Sequence, residues 1–577
     1  MTQLFRNIRL AAGVAGTHLS DDPFLLLLQL SRRLPARLVG PLAAGVTRLA
    51  PGDSAAIAVL LASLVQGDAA EVERRLLLAS AAAGEPARRL ADVALAAQLP
   101  DLADDFLGRA EGAPGLEGAR ARRFWYDGAV SDAVAVLARD GRARRGQRAR
   151  LAAELSVLNG AAPVLDRVDY TAVPGRVLHL LTNSLPHTSS GYAQRSHSIL
   201  AAQQAAGWDV QAVTRLGYPV QVGKILAKPL DVVDGVRYRR LLPAQLAATM
   251  DARLQQQAAE LLDVVLEFRP SMLHTTTHFV NALVVRAVAQ AVGIPWVYEV
   301  RGQLADTWAS TRGPAAKQSE RYRLFQQREA EVMRNADLVV TLGGAMKANI
   351  VAAGIPGGKV LIAPNAVGGD FLAEPLDTAS ARRALGLNEA GQYIGTVSSL
   401  VAYEGLDCLI EAFVLLAPRL PDLKLLIVGD GVSRPALEVQ ARQSGYGDRI
   451  IFTGRVPRDQ AVRYHQALDV FVVPRKDLAV TQSVTPLKPV EALACARPVV
   501  ASKLPALAEI VEDGVTGRLA TADDPVALSE AVRELLSNPE LAERMGAAGR
   551  SRVLRERTWA ANVAALAAEL GKLGVTI

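Results

Sequence analysis

The chain has 577 residues, of which 50% are hydrophobic, 21% are charged and 5% are aromatic. This composition excludes a disordered or acidic-tail protein, and the length predicts about three or four domains. The formal net charge of +6, from 64 Lys and Arg against 58 Asp and Glu, is too small over so long a chain to indicate a dedicated nucleic-acid binder.

The sequence also indicates in which cellular compartment the protein is expected. Cys408 and Cys495 are too few for a disulfide framework and have no zinc-site spacing. The longest uncharged apolar run, 55–65, is far shorter than the ~20 residues that span a bilayer. The first ten residues carry charge without a following apolar core, so no secretory signal is expected. We therefore expect a cytoplasmic, multidomain protein.

Residues 1–170 are predicted to form an all-α module. Small and apolar residues recur at helical spacing in 55–65, 69–83, 87–99, 102–110, 131–139 and 147–158. Breakers such as Gly84-Glu85-Pro86 separate these stretches. The pattern favours stacked helical hairpins, loosely similar to tetratricopeptide arrays but without a fixed period, and hence a scaffold or docking module.

Segment 23–49 of this module contains the apolar run 24–28 and the basic residues Arg32, Arg33, Arg37 and Arg48. Two interpretations remain open. The segment is either a basic amphipathic surface that lies on an anionic membrane, or an ordinary helical pair with solvated arginines.

From Pro174 onward the pattern predicts an α/β fold. Short runs of Val, Ile and Leu bounded by Gly, Asp or Pro indicate buried parallel strands. The first series is 176–182, 209–214, 272–275, 296–300, 337–341 and 359–363, with helices over 193–206, 281–292 and 317–335. The second is 393–397, 424–428, 449–452, 470–473 and 498–501. Two series in tandem predict two doubly wound, Rossmann-like domains that join near 368–375, with ligands in the cleft at the strands' carboxyl ends.

The strongest site signal follows the second series. Loop 485–488 would direct backbone amides and the Lys488 ammonium toward an anion, and Pro489 suits the first turn of the helix that follows. Glu491, one turn further on, would accept two hydrogen bonds from a diol such as a ribose. A phosphate and a ribose at that separation indicate a nucleotide.

These motifs combine with APNAV at 363–367, GTVSSLVAYEGLDCL at 395–409, and TPLKPVEA at 485–492. Their order resembles glycosyltransferase family four, whose members have the GT-B architecture and transfer sugars from nucleotide donors with retention. The YEGLD and TPLKPxEA motifs are similar to a branch associated with cell-surface polysaccharide assembly. The resemblance covers about Pro174 to the C-terminus.

The resemblance implies four regions. A helical module over 1–170 would precede an acceptor-binding domain over 171–367 and a donor-binding domain over 368–557. A closing helix over 558–577 would pack back on the first Rossmann-like domain.

The sequence departs from the family pattern at three positions. Ser483 replaces the first of two usual glutamates, and Ser399 and Glu404 stand where an Arg and a Lys usually neutralise the donor diphosphate. Because an unpaired diphosphate is costly to desolvate, we expect replacement cations, and Arg475 and Lys488 are the candidates.

The resemblance also implies roles for further residues. Catalytic candidates are Arg475, Lys488 and His274. The donor-binding set is Gly191, Asn365, Ser399, Gly454, Arg455, Val456, Thr485, Pro486, Leu487, Lys488 and Glu491. The acceptor-binding set is Asn183, Tyr192, Arg195 and Arg301. Alternatives stay open for these residues. His274 could instead be a strand-end histidine with its hydrogen bonds satisfied, and His278 is a weaker candidate than His274 for the catalytic role. Arg195 could be a solvated helix residue, and Arg301 could pair with a carboxylate such as Asp306.

We therefore predict a retaining, metal-independent glycosyltransferase that uses a UDP- or GDP-sugar and a glycan, lipid-linked or other cell-surface acceptor. We expect it in the cytoplasm, with docking to a protein or to the inner membrane face through the helical module, and no nucleic-acid partner. Two alternatives remain: a sugar-nucleotide epimerase or phosphorylase of the same architecture, and a non-catalytic nucleotide-sugar-binding scaffold.

Overall fold

The computed structural model describes residues 2–21, 36–49, 56–139 and 145–575. The described part of the N-terminal region is all-α, as predicted, up to Leu158, and 161–170 has no regular secondary structure. Its helices are α1 Gln3–Asp21, α2 Ala36–Leu49, α3 Ile57–Gln66, α4 Ala69–Leu78, α5 Gly84–Ala96, α6 Pro100–Arg109, α7 Leu116–Asp127, α8 Val130–Ala138 and α9 Arg145–Leu158. Sequence reasoning missed α1 and α7. Run 24–28, Arg32 and Arg33, and the side chains of Arg37 and Arg48, lie outside the described residues.

Helices α3 to α7 share one core because each presents an apolar stripe to its neighbours. Leu60, Leu76 and Phe106 are buried in that core. A buried ion pair ties α5 to α7: Arg122 donates to both carboxylate oxygens of Asp92, at 2.6 and 2.7 Å.

The first α/β domain contains an eight-stranded sheet in the order β3-β4-β2-β1-β5-β6-β7-β8. Its strands are β1 Arg176–Leu181, β2 Asp209–Thr214, β3 Leu230–Val233, β4 Val236–Arg240, β5 Met272–Thr276, β6 Trp296–Val300, β7 Leu338–Thr341 and β8 Val360–Ile362. Its helices are α10 Gly191–Ala205, α11 Met250–Phe268, α12 Phe279–Val292, α13 Leu304–Ala309, α14 Glu320–Asn335 and α15 Gly344–Ala352. Neighbouring strands pair in parallel except β3 and β4, an antiparallel hairpin that was not predicted.

The second α/β domain contains a six-stranded parallel sheet in the order β11-β10-β9-β12-β13-β14. Its strands are β9 Gln392–Val397, β10 Leu423–Val428, β11 Ile450–Gly454, β12 Val470–Val473, β13 Val499–Ser502 and β14 Gly517–Ala520. Its helices are α16 Thr378–Ala384, α17 Leu406–Leu416, α18 Arg434–Gln443, α19 Arg458–Gln466, α20 Ala479–Ser483, α21 Lys488–Ala494, α22 Pro505–Ala508, α23 Pro525–Leu536 and α24 Pro539–Glu556. The predicted pair of doubly wound sheets is confirmed, although β14 was missed.

The last helix, α25 Trp559–Lys572, returns to the first domain. Val563, Leu566 and Leu570 of this helix are buried in one cluster with residues of β1 and β2. Where the chain crosses back, the Val367 amide donates to the Arg557 carbonyl at 2.9 Å and the Trp559 amide donates to Val367 at 3.2 Å. The two connections between the α/β domains therefore run side by side.

The helical module packs on the first α/β domain through several contacts, among them those of helices α9 and α1. Arg321 of α14 donates to Glu154 of α9 at 2.6 Å and lies over the Trp125 ring of α7. Asn7 of α1 donates to the carbonyls of Ile225 and Ala227 at 2.8 and 2.9 Å. Within the described ranges, none of the helices combines the length and apolar content that a bilayer-spanning segment needs.

Candidate active site

The two α/β domains contact each other where the strands of both sheets reach their carboxyl ends. Asn365 donates to the Thr485 carbonyl at 2.8 Å, and the Ser483 hydroxyl donates to Gln303 at 3.0 Å. A cavity of about 1040 Å³ on one side is lined by residues of helices α10 and α25, together with Leu487 and Glu491 of the second domain. On the other side, a cavity of about 910 Å³ is lined by residues that include Ser483 and Gln303. The cleft predicted from strand order is therefore present.

Arg475 follows β12 and is held in place by a carboxylate. Its Nη2 and Nε donate to Glu404 at 2.7 and 3.1 Å, and its Nη1 donates to the Val484 carbonyl at 2.8 Å. The guanidinium thus lies at the start of loop 485–488. Sequence reasoning noted only that Glu404 is not a cation; in the structure it is the counter-ion of Arg475.

A glycine makes this ion pair possible. Gly405 has φ +70°, and a Cβ at this position would lie 1.8 Å from the Pro474 carbonyl oxygen. Only glycine allows the Tyr403–Gly405 backbone to approach the end of β12 this closely. The glycine of the YEGLD motif therefore brings Glu404 within reach of Arg475.

Lys488 and Glu491 form the second ion pair of the site. Helix α21 places them one turn apart, with the Lys488 Nζ 2.8 Å from Glu491 Oε2 and with His465 Nε2 3.3 Å from the same oxygen. Burial opposes ionisation of Glu491, but Lys488 and His465 outweigh it and lower the pKa of this carboxyl to about 2. Glu491 is therefore an anion at neutral pH, as a hydrogen-bond acceptor for a diol must be. His465 was missed because it precedes α21 by more than twenty residues.

The other residues of the predicted donor-binding set lie in loop 485–488 and at or after the ends of strands β8, β9 and β11. Thr485 and Pro486 are buried, Leu487 is half-buried in the 1040 Å³ cavity, and Asn365 accepts from Arg195 at 3.2 Å. Gly454 ends β11 with φ +74°, and its carbonyl accepts from the Gly429 amide at 3.0 Å. Arg455 is exposed and Val456 half-buried directly after it, whereas Ser399 is exposed in the loop after β9.

The first domain contributes helix α10 and the loop before it. Ser190 caps this helix by accepting from the Ala193 amide at 3.3 Å, so Gly191 lies in the first turn and is exposed. Tyr192 is also exposed, and a Cβ on Gly302 would lie 2.8 Å from its hydroxyl and 4.0 Å from Val484. Asn183, half-buried, accepts from Arg215 at 3.4 Å. Tyr192 therefore lies beside Gly302 of its own domain, and Gly302 in turn faces Val484, whose carbonyl accepts from Arg475.

Glu299 is the centre of a buried charge network that sequence reasoning missed. Its carboxylate accepts from Arg195 at 2.8 Å and from Arg301 at 2.5 Å, and it is fully buried. Burial opposes its ionisation, but Arg301, Arg195 and His274 outweigh this and hold the pKa of Glu299 well below its usual range.

This network corrects two of the acceptor-binding predictions. The Arg195 guanidinium donates to Glu299, Ala363, Pro364 and Asn365, so it fastens strand ends together instead of facing an acceptor. Arg301 is buried and donates to Glu299, to Ser196 at 2.7 Å and to the Tyr192 carbonyl at 3.0 Å. It is a carboxylate partner, as the alternative interpretation held, but the carboxylate is Glu299 and not Asp306.

The role predicted for His274 is corrected as well. His274 is the third residue of β5 and not its end, and it is buried with its ring stacked on His179 at 4.5 Å. His278 caps α12 by accepting from the Val280 amide at 3.3 Å, and its ring packs on Phe279 and Phe325. Burial lowers the pKa of His278 to about 4. Both histidines belong to the domain core.

A further interdomain contact was not foreseen. Glu509, after α22 of the second domain, accepts from the amides of Gly344 and Ala345, each at 2.7 Å, at the N-terminus of α15 in the first domain. A Cβ on Gly343 would lie 2.3 Å from the Glu509 carboxylate. The glycine pair before α15 was the available signal, since it lets a carboxylate approach a helix start.

Known proteins resemble these two domains. The family model for "Glycosyl transferase 4-like domain" matches residues 190–366, and that for "Glycosyl transferases group 1" matches residues 377–552. A GDP-mannose-dependent alpha-(1-6)-phosphatidylinositol monomannoside mannosyltransferase of Mycolicibacterium smegmatis is 33% identical over 236 residues, which are 40% of this chain and 62% of that protein. A D-inositol 3-phosphate glycosyltransferase of Corynebacterium urealyticum is 26% identical over 59% of this chain and 81% of its own length.

Among solved structures, sucrose-phosphate synthase from Thermosynechococcus elongatus superposes with a TM-score of 0.57 at 22% identity, covering 69% of this chain and 99% of the other. This likeness shows the fold, and the GT-B architecture predicted for the two α/β domains is confirmed. The chain spans about three fifths of the length of the M. smegmatis relative. Two glycosyltransferase family models thus match the chain, one over each of its α/β domains.

Proposed function

We propose that the chain is a retaining glycosyltransferase that moves a sugar from a UDP- or GDP-sugar to a glycan, a lipid-linked acceptor or another cell-surface acceptor. One observation carries the proposal: Arg475 and Lys488 stand at the two ends of loop 485–488, at the carboxyl edge of the second sheet and facing the first domain. A diphosphate at this loop would meet two cations.

The proposed donor site works by exchange of ionic partners. A unit charge pair 4 Å apart attracts by about 4 kcal/mol near a protein surface, so Arg475 and Lys488 would each attract a diphosphate in place of the family's usual cations. Each of them is already paired, Arg475 with Glu404 and Lys488 with Glu491. The net binding free energy of the diphosphate is therefore only the difference between its own attraction to each cation and the attraction of the carboxylate that it displaces.

The nucleoside is proposed to lie in the 1040 Å³ cavity. The ionised Glu491 lines this cavity and would accept hydrogen bonds from the two ribose hydroxyls. Backbone groups of 454–456 would contact the base.

Catalysis is proposed to rest on stabilisation of the leaving diphosphate. Arg475, Lys488 and the amides at the start of α10, after Gly191, would hold its charge as the glycosidic bond breaks, without a metal ion. The acceptor would enter from the first domain, beside Asn183 and Tyr192. Ser483 replaces the usual glutamate and binds Gln303, so the donor sugar would have a neutral neighbour at that point.

The test is incubation of the purified chain with a panel of UDP-, GDP- and TDP-sugars, scored for release of the nucleoside diphosphate with and without EDTA. We expect release with one donor, no effect of EDTA, and loss of release in Arg475→Ala and in Lys488→Ala, with unchanged circular dichroism. Wild-type release in both variants would refute the assignment of the two cations.

One observation favours a second candidate, a nucleotide-sugar-binding scaffold without turnover. Both cations of the loop are neutralised by carboxylates in the structure. The same panel separates the candidates, because a scaffold would bind a nucleotide sugar in calorimetry and release no nucleoside diphosphate from it.

The helical module is proposed to dock the enzyme to a protein or to the inner membrane face. The Arg321–Glu154 pair and the Asn7 contacts fix this module on the first domain, which is the acceptor side of the cleft.

A further inference from the structure

Two neighbouring elements of the first domain's surface expose large apolar side chains. Helix α1 exposes Leu4, Phe5 and Ile8, and the segment from the β2–β3 loop into strand β3 exposes Ile225, Leu226, Leu230 and Val232. The exposed fraction of these side chains runs from 44% for Ile225 to 82% for Leu226. We call these seven residues the apolar face. Solvation of so many large apolar groups in one region is unfavourable and marks an interaction surface.

The two elements are held together. Asn7 donates to the carbonyls on either side of Leu226, and Leu10, on the same side of α1 as Asn7, is buried against Val220 and Ala227. On α1, Leu4 and Ile8 are one turn apart and Phe5 adjoins them, so their stripe flanks the buried one. Leu230 and Val232 alternate along β3, the edge strand of the sheet, and therefore share one of its faces.

The charges around the apolar face are basic. Arg6 and Arg9 of α1 and Lys224 and Lys228 of the loop are all exposed. Of the acids of the adjoining hairpin, Asp231 pairs with Arg240 at 2.9 Å, whereas Asp234, whose side chain is 77% exposed, lies at the turn, at the opposite end of β3 from the β2–β3 loop. Apolar groups bordered by Lys and Arg match an anionic bilayer, where the apolar groups enter the headgroup region and the cations meet lipid phosphates.

We propose that the apolar face docks the protein on an anionic lipid bilayer. The surface is distinct from segment 23–49, because it joins α1 to the first α/β domain. A protein partner or a second copy of the chain would also cover the apolar groups. The bilayer is preferred because four exposed cations border the face and the described residues of the β2–β3 loop include no acid, which suits a continuous anionic surface.

The location of the face bears on the acceptor, and this step rests on the proposed glycosyltransferase function. Loop 215–229 leaves the carboxyl end of β2, the same sheet edge as the loop that carries Asn183. Arg240 donates to the Leu185 carbonyl at 2.8 Å, and His187 lies 3.0 Å from Asp231 of β3. A bilayer under the apolar face would therefore lie beside the acceptor loop, which favours a lipid-linked acceptor over a soluble glycan.

The test is co-sedimentation of the full chain with vesicles of phosphatidylglycerol and phosphatidylcholine in equal parts, compared with vesicles of phosphatidylcholine alone. We expect binding to the anionic vesicles only, falling as salt is raised. The triple variant L4S/F5S/L226S should bind at least about tenfold more weakly, since three apolar anchors are lost. The variant R6Q/K224Q should weaken binding to anionic vesicles through the loss of charge alone.

The matched control is V432S/V515S/V526S, which removes three apolar side chains that are also exposed, on the second domain. It should bind vesicles like the wild type. Wild-type binding by L4S/F5S/L226S, with thermal unfolding unchanged, would overturn the proposal. So would a wild type that ignores anionic vesicles, or light scattering that shows a dimer broken by the same triple variant.

The vesicle-binding test and the test of the proposed glycosyltransferase function can fail independently of each other. Release of nucleoside diphosphate without vesicles should be equal in the wild type and in L4S/F5S/L226S, because none of the three residues lies at loop 485–488. A chain that binds anionic vesicles but releases no nucleoside diphosphate from any donor would retain the docking surface and lose the glycosyltransferase assignment.

Discussion

Glu509 offers a direct test of how the two α/β domains are held together. Its carboxylate belongs to the second domain and accepts from the Gly344 and Ala345 amides of the first, at 2.7 Å each. Glu509→Gln keeps the size of the side chain but removes the charge and leaves one oxygen to accept. The closed arrangement of the domains should therefore weaken without any change in either core.

The free-energy cost of Glu509→Gln follows from the two hydrogen bonds that the carboxylate accepts. A hydrogen bond to a charged group contributes about 1.5–3 kcal/mol, and a carboxylate at a helix N-terminus adds about 0.3–1 kcal/mol. Because Glu509 is partly exposed and Gln retains one of the two bonds, we take the lower end, about 1.5–2 kcal/mol. This loss shifts the equilibrium between closed and open domains by roughly 10- to 30-fold toward the open form.

Small-angle X-ray scattering of the ligand-free chain measures this shift as an increase in the radius of gyration. Gly343→Ala should act in the same direction by sterics, because its Cβ would lie 2.3 Å from the Glu509 carboxylate and 3.0 Å from Thr485. Glu512→Gln is the control, since Glu512 pairs with Arg552 of its own domain at 3.3 Å. Scattering profiles that coincide for the wild type, Glu509→Gln and Gly343→Ala would refute the reasoning.

Other predictions concern the cores. Since burial lowers the pKa of His278 to about 4, the unfolded chain binds a proton that the folded chain does not between pH 6.5 and 4, so stability falls as pH falls through this window. His278→Asn keeps the helix cap and should flatten the dependence of the unfolding temperature on pH there; an unchanged slope would contradict this. Asp92→Asn removes the buried carboxylate that both Arg88 and Arg122 bind and should destabilise the helical module by about 3–5 kcal/mol, seen as an earlier urea transition, whereas Asp104→Asn, at a carboxylate that is 53% exposed, should change little.

The sequence predicted the fold well wherever strands are buried on both faces. Strands such as β2, β6 and β12 begin and end at the predicted residues, and all of their residues except Asp209 are buried. The hairpin β3–β4 and strand β14 were missed, since edge strands are short and half-exposed and their residues alternate with polar ones. Helix α7 was not predicted because arginines interrupt the helical spacing of its apolar residues.

The site was predicted less completely, for a physical reason. Loop 485–488 and Glu491 lie close in sequence, so local spacing fixes their arrangement. Glu299 meets Arg195 across more than one hundred residues of chain, and nothing in the spacing of either shows the contact. The same holds for Glu404 and Arg475, whose pairing depends on how closely Gly405 lets two loops approach.

The two connections between the α/β domains have a mechanical consequence. Val367 on the outgoing connection pairs with Thr558 on the returning one, and hydrogen bonds join them on both sides. Two chain segments joined by hydrogen bonds should bend together about one axis and should resist rotation of one domain against the other. Relative motion of the domains then reduces to one coordinate, opening and closing of the cleft, and both faces of loop 485–488 are exposed or covered together.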